Sequence, residues 1–319
     1  MFRHILAATD VITQPDAPIL SAVELLRQQG GHLVILHVII PETPSPSPQT
    51  HHFATGAPVA LDNAYMSEVA QALRYTYAPL LSNLSFRIHV AAGVPWQAIL
   101  ETAAMADADL IVLGNRSVET ATQGKERIIG KVGTTVAHVV TRETCPVMVV
   151  NRPATPEQMR FGRIMVSVDF SRTCECAVCF AARLAVLHHS QVTVFHMLPV
   201  PPYPKYTPAD YAADMENAQK RLADFCDPYL DGIDHTYQIQ AGALPHLAIV
   251  AAADQTRTDL IIMGSHTRDQ AGKWYPGSAV ERTSYRAACP IMVINDPELL
   301  VQNGKNEDRL IHLFTHSSN

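Results

Sequence analysis

Two segments of the chain combine a glycine with small or hydroxyl-bearing residues where a helix is predicted to begin. They are Gly133-Thr134-Thr135 and Gly277-Ser278-Ala279. A helix N-terminus presents unpaired N–H groups and a favourable dipole to an anion, and glycine lets a phosphate approach the backbone closely. For an isolated pair of this kind, a hydroxyl group that merely caps the helix is the commoner explanation. The spacing and the surrounding elements must therefore decide whether these segments bind phosphate.

The elements around these segments occur twice along the 319-residue chain. Four apolar landmarks recur in the same order in both halves, at residues 5–10 and 164–169, 34–38 and 192–196, 108–114 and 258–264, and 145–150 and 289–294. Four matches in order indicate an internal duplication. Each landmark is short and almost continuously apolar, which is typical of a strand in a parallel sheet that helices cover on both faces.

Helical patterns separate these predicted strands. They cover residues 17–29, 59–81, 96–106, 208–230 and 246–255. The first ends at Gly30-Gly31, a helix stop, and the two short ones follow a proline, which is favoured in the first turn. The alternation predicts an α/β fold in which each half is a doubly wound, Rossmann-like sheet of five parallel strands with helices on both faces. We expect the two sheets to pack through their fifth strands.

The repeat divides the chain into two domains of ordinary size. We expect the first domain to cover residues 1–151 and the second 162–296, joined by a proline-containing linker at 152–161. Proline-rich segments at 41–58 and 199–208 are predicted as surface loops. The tail at 297–319 has no counterpart in the first half. The sequence is compatible with either a short helix at 307–313 or an irregular tail.

The spacing within the second half resembles the signature of the universal stress protein family. That signature is a glycine, two residues, a glycine, nine residues, a glycine, and a serine or threonine. Here Gly264 and Gly277-Ser278 stand at the matching distance, and Thr267 stands where the second glycine belongs. The aspartate after the first strand, the aspartate before the fourth and the Cys-Pro start of the fifth are also similar to the family. The resemblance covers residues 2–151 and 162–295, and it implies an adenine nucleotide alpha hydrolase-like fold that binds ATP.

The resemblance also implies which residues would surround the nucleotide. In the second half they are Asp169, His196 and Met197 near the adenosine, and Met263, Gly264, His266, Gly277, Ser278 and Ala279 near the phosphates. In the first half the corresponding positions are Asp10, His37, Val38, Gly114, Arg116, Gly133, Thr134 and Thr135. Asp10 and Asp169 are lone carboxylates, which leaves two interpretations open: a ligand for Mg²⁺ beside the phosphates, or a residue that organises a turn.

Both halves depart from the family signature. Threonine at position 267 fits poorly if that position requires a positive φ. In the first half, residues 115–132 separate Gly114 from Gly133, which is longer than the signature. The lysine and arginine side chains in this stretch suit either a phosphate or a solvated loop. The second half is the better candidate for nucleotide binding.

Two further constellations allow more than one interpretation. Cys174, Cys176 and Cys179 could bind zinc or sense redox state near a helix start. Because no second cysteine motif accompanies them, small apolar packing residues are the favoured interpretation. His37 and His196 recur at the end of the second strand, either as a polar rim of the ligand crevice, which we favour, or as buried, hydrogen-bonded imidazoles.

The composition and charge of the chain argue against several classes of partner. The net charge is -6 and there is no basic run, which argues against nucleic-acid and anionic-membrane partners. No apolar stretch approaches the ~18 residues that span a bilayer. The N-terminal residues lack the features of a signal peptide, so we expect a cytoplasmic protein.

No pattern of a P-loop or a Ser-His-Asp triad is evident. The family resemblance implies a stress-response protein that binds ATP and changes its interactions with unidentified protein partners. Because these catalytic patterns are missing, we do not expect an enzyme, and ATP hydrolysis would be slow at most. Each chain would be an intramolecular pseudo-dimer, and further homodimerisation stays open. Two alternatives remain: an interaction protein whose two sites have both degenerated, and a metal- or redox-responsive module that uses the three cysteines.

Overall fold

The computed structural model describes residues 2–42, 48–115, 134–143, 145–199, 207–265 and 278–295, without the side chains of Thr134 and Ser278. In the first half the described elements are β1 (His4–Thr9), α1 (Ala17–Gln29), β2 (His32–Ile39), β3 (Gln49–His51), β4 (Pro58–Ala60), α2 (Asn63–Tyr77), β5 (Ser85–Ala92), α3 (Pro95–Met105), β6 (Leu110–Gly114), α4 (Thr134–Val140) and β7 (Val147–Val150). After a 3-10 helix at Gln158–Arg160, the second half contains β8 (Arg163–Val168), α5 (Arg172–His188), β9 (Gln191–Pro199), α6 (Pro208–Leu230), β10 (His235–Gly242), α7 (Pro245–Gln255), β11 (Leu260–Gly264), α8 (Ser278–Arg286) and β12 (Ile291–Ile294).

The long strands form one ten-stranded sheet with the order β10-β9-β8-β11-β12-β7-β6-β1-β2-β5. Pairing is parallel within each half, and the halves join where β7 pairs antiparallel with β12, with Met148 opposite Met292. The predicted α/β class and the packing through the fifth strands are both confirmed. Antiparallel joining of the two fifth strands leaves no unpaired edge between the halves, so the chain has a single continuous sheet.

Two apolar layers, one on each face of the sheet, form the core. The layer under α1, α2, α5 and α6 contains Ile5 and Ala7, and the layer under α3, α4, α7 and α8 contains Leu6. This alternation follows from the two-residue period of a strand. Each layer includes residues of both halves, so the duplicated units share their cores. Met159 and Phe161 of the predicted linker are fully buried in the first layer.

The helix predictions agree with the structure to within one residue at each end, except that the helix predicted at 59–81 begins later and ends earlier, at Tyr77. The bounds of α1 and α6 are those predicted, and α1 ends at Gly30, whose φ is 72°. The helix predicted at 59–81 begins later as α2, because Asp62 accepts a hydrogen bond from Tyr65 N at 2.9 Å and caps it there. The residues before this cap form β4, which pairs with β3, so the loop predicted at 41–58 includes part of a hairpin. The tail and most of the loop predicted at 199–208 lie outside the described residues.

Candidate functional site

Each half has a candidate site at the carboxyl edge of its own strands, where the strand order reverses. The reversal falls between β1 and β6 in the first half and between β8 and β11 in the second. Open α/β sheets bind ligands at such points. Asp10 and Gly114 follow or end β1 and β6 at the carboxyl edge of the first half, and Asp169 and Gly264 follow or end β8 and β11 at that of the second. Because β7 and β12 are antiparallel, the two pairs of residues lie at opposite edges of the ten-stranded sheet.

Another part of the predicted site lies outside the described residues. This group comprises Arg116, Gly133, His266, Thr267, Gly277 and the stretch 117–132. The backbone places Thr134 and Ser278 at the first residues of α4 and α8, in agreement with the predicted helix starts. Helix α8 has nine residues and α4 has seven, and each begins beside the carboxyl edge of its own half.

The remaining second-half residues divide between the two faces of the sheet. Met197, Met263 and Ala279 pack in the layer of α7 and α8. His196 instead contacts Phe170 with 4.7 Å between the centroids of the tilted rings, and Phe170 packs against the layer of α5 and α6. Met197 thus lies on the face where α8 begins, and His196 lies on the opposite face. In the first half, Val38 and the half-buried Thr135 occupy positions that correspond to Met197 and Ala279.

The glycine at the end of the fourth strand of each half is required by helix packing. A Cβ atom on Gly264 would lie 2.4 Å from the carbonyl carbon of Thr173 and 2.5 Å from Cys174 N, both in the backbone of α5. On Gly114 the nearest atom would be Pro18 Cγ, at 3.1 Å. The sequence pattern assigned both glycines to the phosphates. In the structure, their lack of a side chain lets the first turn of α5 or α1 rest on the strand, and the requirement is stricter at Gly264.

The aspartate after the first strand has a structural role in the second half. Asp169 Oδ1 accepts a hydrogen bond from Ser171 N at 3.0 Å, and Ser171 Oγ accepts one from Cys174 N at 3.3 Å, which caps α5. Of the two interpretations for this carboxylate, the structure therefore shows the one in which Asp169 organises a turn. Asp10 and Asp169 are both exposed. Within the described ranges, no cluster of three or more histidine, cysteine or acidic residues is placed to hold a metal ion.

His37 and His196 make the same contact in both halves. His37 Nδ1 lies 3.0 Å from Thr9 O, and His196 Nδ1 lies 2.8 Å from Val168 O. Because a carbonyl oxygen can only accept, Nδ1 carries the proton in each imidazole. His37 is buried, and its burial lowers its pKa below the ordinary value. The structure thus shows the buried, hydrogen-bonded alternative for His37, whereas His196 makes the same bond and is half-buried; the place of both rings at a crevice rim stays a prediction.

A buried carboxyl group lies beside the first-half edge, and no sequence motif indicates it. Asp16 Oδ2 accepts a hydrogen bond from Thr9 Oγ1 at 2.7 Å, and Asp16 Oδ1 accepts one from Tyr77 OH at 3.3 Å. Asp16 precedes α1, where an aspartate ordinarily caps the helix, but its side chain makes no capping bond. Burial raises the pKa of Asp16 to about 6, against the lowering effect of the Thr9 bond. In the second half, Tyr229 OH donates to Glu175 Oε1 at 2.6 Å, and both residues are half-buried.

The aspartate before the fourth strand acts at the amino-terminal edge of the strands of its own half. Asp109 accepts hydrogen bonds from Arg3 N at 2.7 Å and His4 N at 3.0 Å, at the start of β1. Asp259 accepts one from Arg163 N at 2.9 Å and also pairs with the guanidinium of Arg163 at 2.9 Å. The recurrence of this aspartate is visible in the sequence, but its role as a clamp on the first strand is visible only in the structure.

The three clustered cysteines are core residues. Cys174, Cys176 and Cys179 are all buried in α5, as the favoured interpretation predicts. Cys174 Sγ lies 3.6 Å from Ser167 O, and burial raises the pKa of this thiol to about 12. A thiol that stays protonated at neutral pH is a poor metal ligand and a poor nucleophile. The metal- or redox-responsive alternative is therefore not supported by this cluster.

Comparisons with known proteins agree with this architecture. The profile of the universal stress protein family matches residues 1–151 and again residues 160–295. No curated protein matches the chain. None of the helices in the described ranges combines the length and the apolar character that crossing a membrane requires.

Solved structures similar to this chain include proteins of the same two-unit length. A universal stress protein from Archaeoglobus fulgidus DSM 4304 is 17% identical, with a TM-score of 0.61 over 92% of this chain and 96% of that protein. A functionally unknown protein from Pseudomonas aeruginosa PAO1 is 15% identical, with a TM-score of 0.58 over 95% of each chain. The alignment with a universal stress protein in complex with cAMP covers 42% of this chain and 95% of that protein, at 20% identity and a TM-score of 0.29. Identities this low establish a shared fold and no ligand.

Proposed function

The chain belongs to the universal stress protein family, and we propose that it binds ATP or a related adenine nucleotide at the carboxyl edge of its second half. In this proposal residues 162–296 form the binding domain, and residues 1–151 form a second domain of the same fold. Nucleotide occupancy would change the interactions of the protein with other proteins during stress. The free state of all six cysteines fits a reducing compartment, and we place the protein in the cytoplasm.

The observation that carries the proposal is the position of α8. This helix begins at Ser278, on the face of the sheet where Met197 and Met263 lie, and it follows the glycine-containing segment that opens at Gly264. A helix that starts beside a topological switch point directs its free N–H groups and the positive end of its dipole towards that crevice. A phosphate is the ligand best suited to such a group of donors.

The residues at the edge also fit a magnesium ion carried by the nucleotide. Mg²⁺ is commonly held by one or two carboxylates together with phosphate oxygens and water. The exposed carboxylate of Asp169 could supply the protein ligand, and the ion would supply charge neutralisation for the phosphates. No described acid or base is placed as a catalytic pair at this edge, so we propose a binding protein with slow ATP hydrolysis at most.

Isothermal titration calorimetry of the purified protein with ATP tests the proposal. In Ser278→Glu the new carboxylate should repel the phosphates, and we expect at least a tenfold loss of affinity, which is about 1.4 kcal/mol. The matched control is Thr134→Glu at the first residue of α4, which should leave the second-half affinity within about twofold. cAMP serves as a competitor that carries a single phosphate group. Equal ATP affinity of the wild type and Ser278→Glu would contradict the second-half site.

One observation favours a different function. Helix packing accounts for Gly264 without any ligand, so the most prominent glycine of the signature does not by itself require a nucleotide. An interaction protein with two degenerate sites would retain this glycine for the same reason. Mass spectrometry of the supernatant after denaturation of freshly purified protein distinguishes the two functions. Stoichiometric adenine nucleotide is expected from a binding protein and none from an interaction protein.

A further inference from the structure

Side-chain hydrogen bonds join α8 of the second half to the first half. Asn115 Nδ2 donates to Ser284 Oγ at 3.0 Å, and Asn151 Nδ2 donates to the backbone oxygen of Ser284. Ser284 Oγ in turn donates to Glu281 O at 2.8 Å, within the same helix. Asn115 is 6% exposed and Ser284 is 2% exposed, so the contact is excluded from water. The carboxyl-terminal part of α8 is therefore held by two asparagines of the other half.

The reverse contact lacks this bond. Ser265 corresponds to Asn115, since Ser265 N donates to Ile294 O at 3.0 Å as Asn115 N donates to Val150 O at 3.1 Å. However, Ser265 Oγ is buried and has no hydrogen-bond partner among the described residues. The residue of α4 that corresponds to Ser284 is Val140, whose side chain has no polar atom. In the reverse direction Asn295 Nδ2 donates to Glu143 O at 3.5 Å, beyond the end of α4, whereas Asn115 and Asn151 bond to α8 itself.

The network around this contact has unused hydrogen-bonding capacity. Asn115 Oδ1 is buried without a hydrogen-bond partner among the described residues. A buried polar atom left unpaired costs free energy, so stability alone does not account for this asparagine.

We propose that Asn115 and Asn151 are positioning residues for the nucleotide site of the second half. They fix the carboxyl-terminal part of α8, and the nine-residue helix, about 14 Å long, transmits that position to its N-terminus. This inference rests on the proposed function, because the phosphate would bind at that N-terminus. Asn115 directly follows Gly114, so the edge of the first half is linked through α8 to the nucleotide site of the second.

Titration of the full chain with ATP, combined with thermal unfolding, tests the inference. We expect Asn115→Ala and Ser284→Ala each to weaken ATP binding about two- to tenfold, while the melting temperature falls by no more than about 4 °C. The double variant should bind about as weakly as the weaker single variant, because both substitutions remove the same bond. The control is Thr283→Val, which keeps the size of a neighbouring α8 side chain and removes a hydroxyl that bonds to none of the described residues. It should keep its ATP affinity within about twofold.

The outcomes separate this inference from the proposed function. If the wild type binds ATP and both alanine variants bind it equally well, the positioning role is overturned and the proposed function stands. Independent, additive losses in the double variant would also overturn the role. Absence of ATP binding in the wild type would overturn both. If Asn115→Ala does not fold, Ser284→Ala decides the matter, since it keeps both asparagines and removes one hydroxyl.

Discussion

The two halves of this chain share the contacts that build the sheet and differ in the contacts beside the candidate site. In both, an imidazole at the end of the second strand bonds to the end of the first, and an aspartate before the fourth strand clamps the start of the first. Beside the site, the first half has a buried carboxyl group, Asp16, and the second has the tight contact between Gly264 and α5. After a duplication, the elements that position a site can thus persist while the residues around each copy diverge.

The largest expected difference between the halves concerns the two glycines. Gly264→Ala should lower the free energy of unfolding by about 3 kcal/mol or more, because its Cβ would overlap the α5 backbone, which cannot move as a side chain can. Gly114→Ala should cost about 1 kcal/mol, because its Cβ would meet only the ring of Pro18. Urea denaturation of both variants measures this difference. Equal losses would show that the halves pack their first helices alike.

A smaller difference concerns pH and comes from Asp16. Its pKa is raised from 3.8 to about 6 in the folded chain, so its contribution to stability is fully present below pH 3.8 and is lost as the pH rises through about 6. The loss amounts to about 2–3 kcal/mol. Asp16→Asn, which cannot ionise, should therefore gain stability relative to the wild type between pH 4 and pH 6.5. A stability difference that stays constant over this range in denaturant titrations would contradict the prediction.

The smallest expected difference concerns the tyrosines that contact the two acids. Tyr77 is fully buried, whereas Tyr229 is half-buried and bonds to the half-buried Glu175. Tyr77→Phe should cost about 1.5 kcal/mol at pH 7, because it leaves a buried carboxylate with one donor fewer, and Tyr229→Phe about 0.5 kcal/mol, because water can replace its hydroxyl. Thermal unfolding of the two variants, with the wild type as the control, measures both. A larger loss of stability in Tyr229→Phe than in Tyr77→Phe would indicate that Glu175, and not Asp16, is the more buried acid.

The local patterns of the sequence predicted most of the fold. The bounds of α1 and α6 follow from apolar periodicity, with the Gly30 stop for α1. The predicted start of α2 is too early, because residues 58–60 continue the apolar pattern although they pair as β4. Four of the residues predicted near the phosphates, Arg116, Gly133, His266 and Gly277, lie outside the described ranges, and the whole assignment stays a prediction.

The amino-acid sequence was enough to predict the duplication, the α/β class, eight of the ten strands of the sheet and five of its helices. These features depend on residue periods, caps and order along the chain, which are local properties. The contact of Gly264 with α5, the burial of Asp16 beside Tyr77 and the bond from Asn115 to α8 of the other half could be seen only in the folded chain. Each of these contacts joins residues that are distant in the chain, so which side chains meet depends on how helices dock on the assembled sheet.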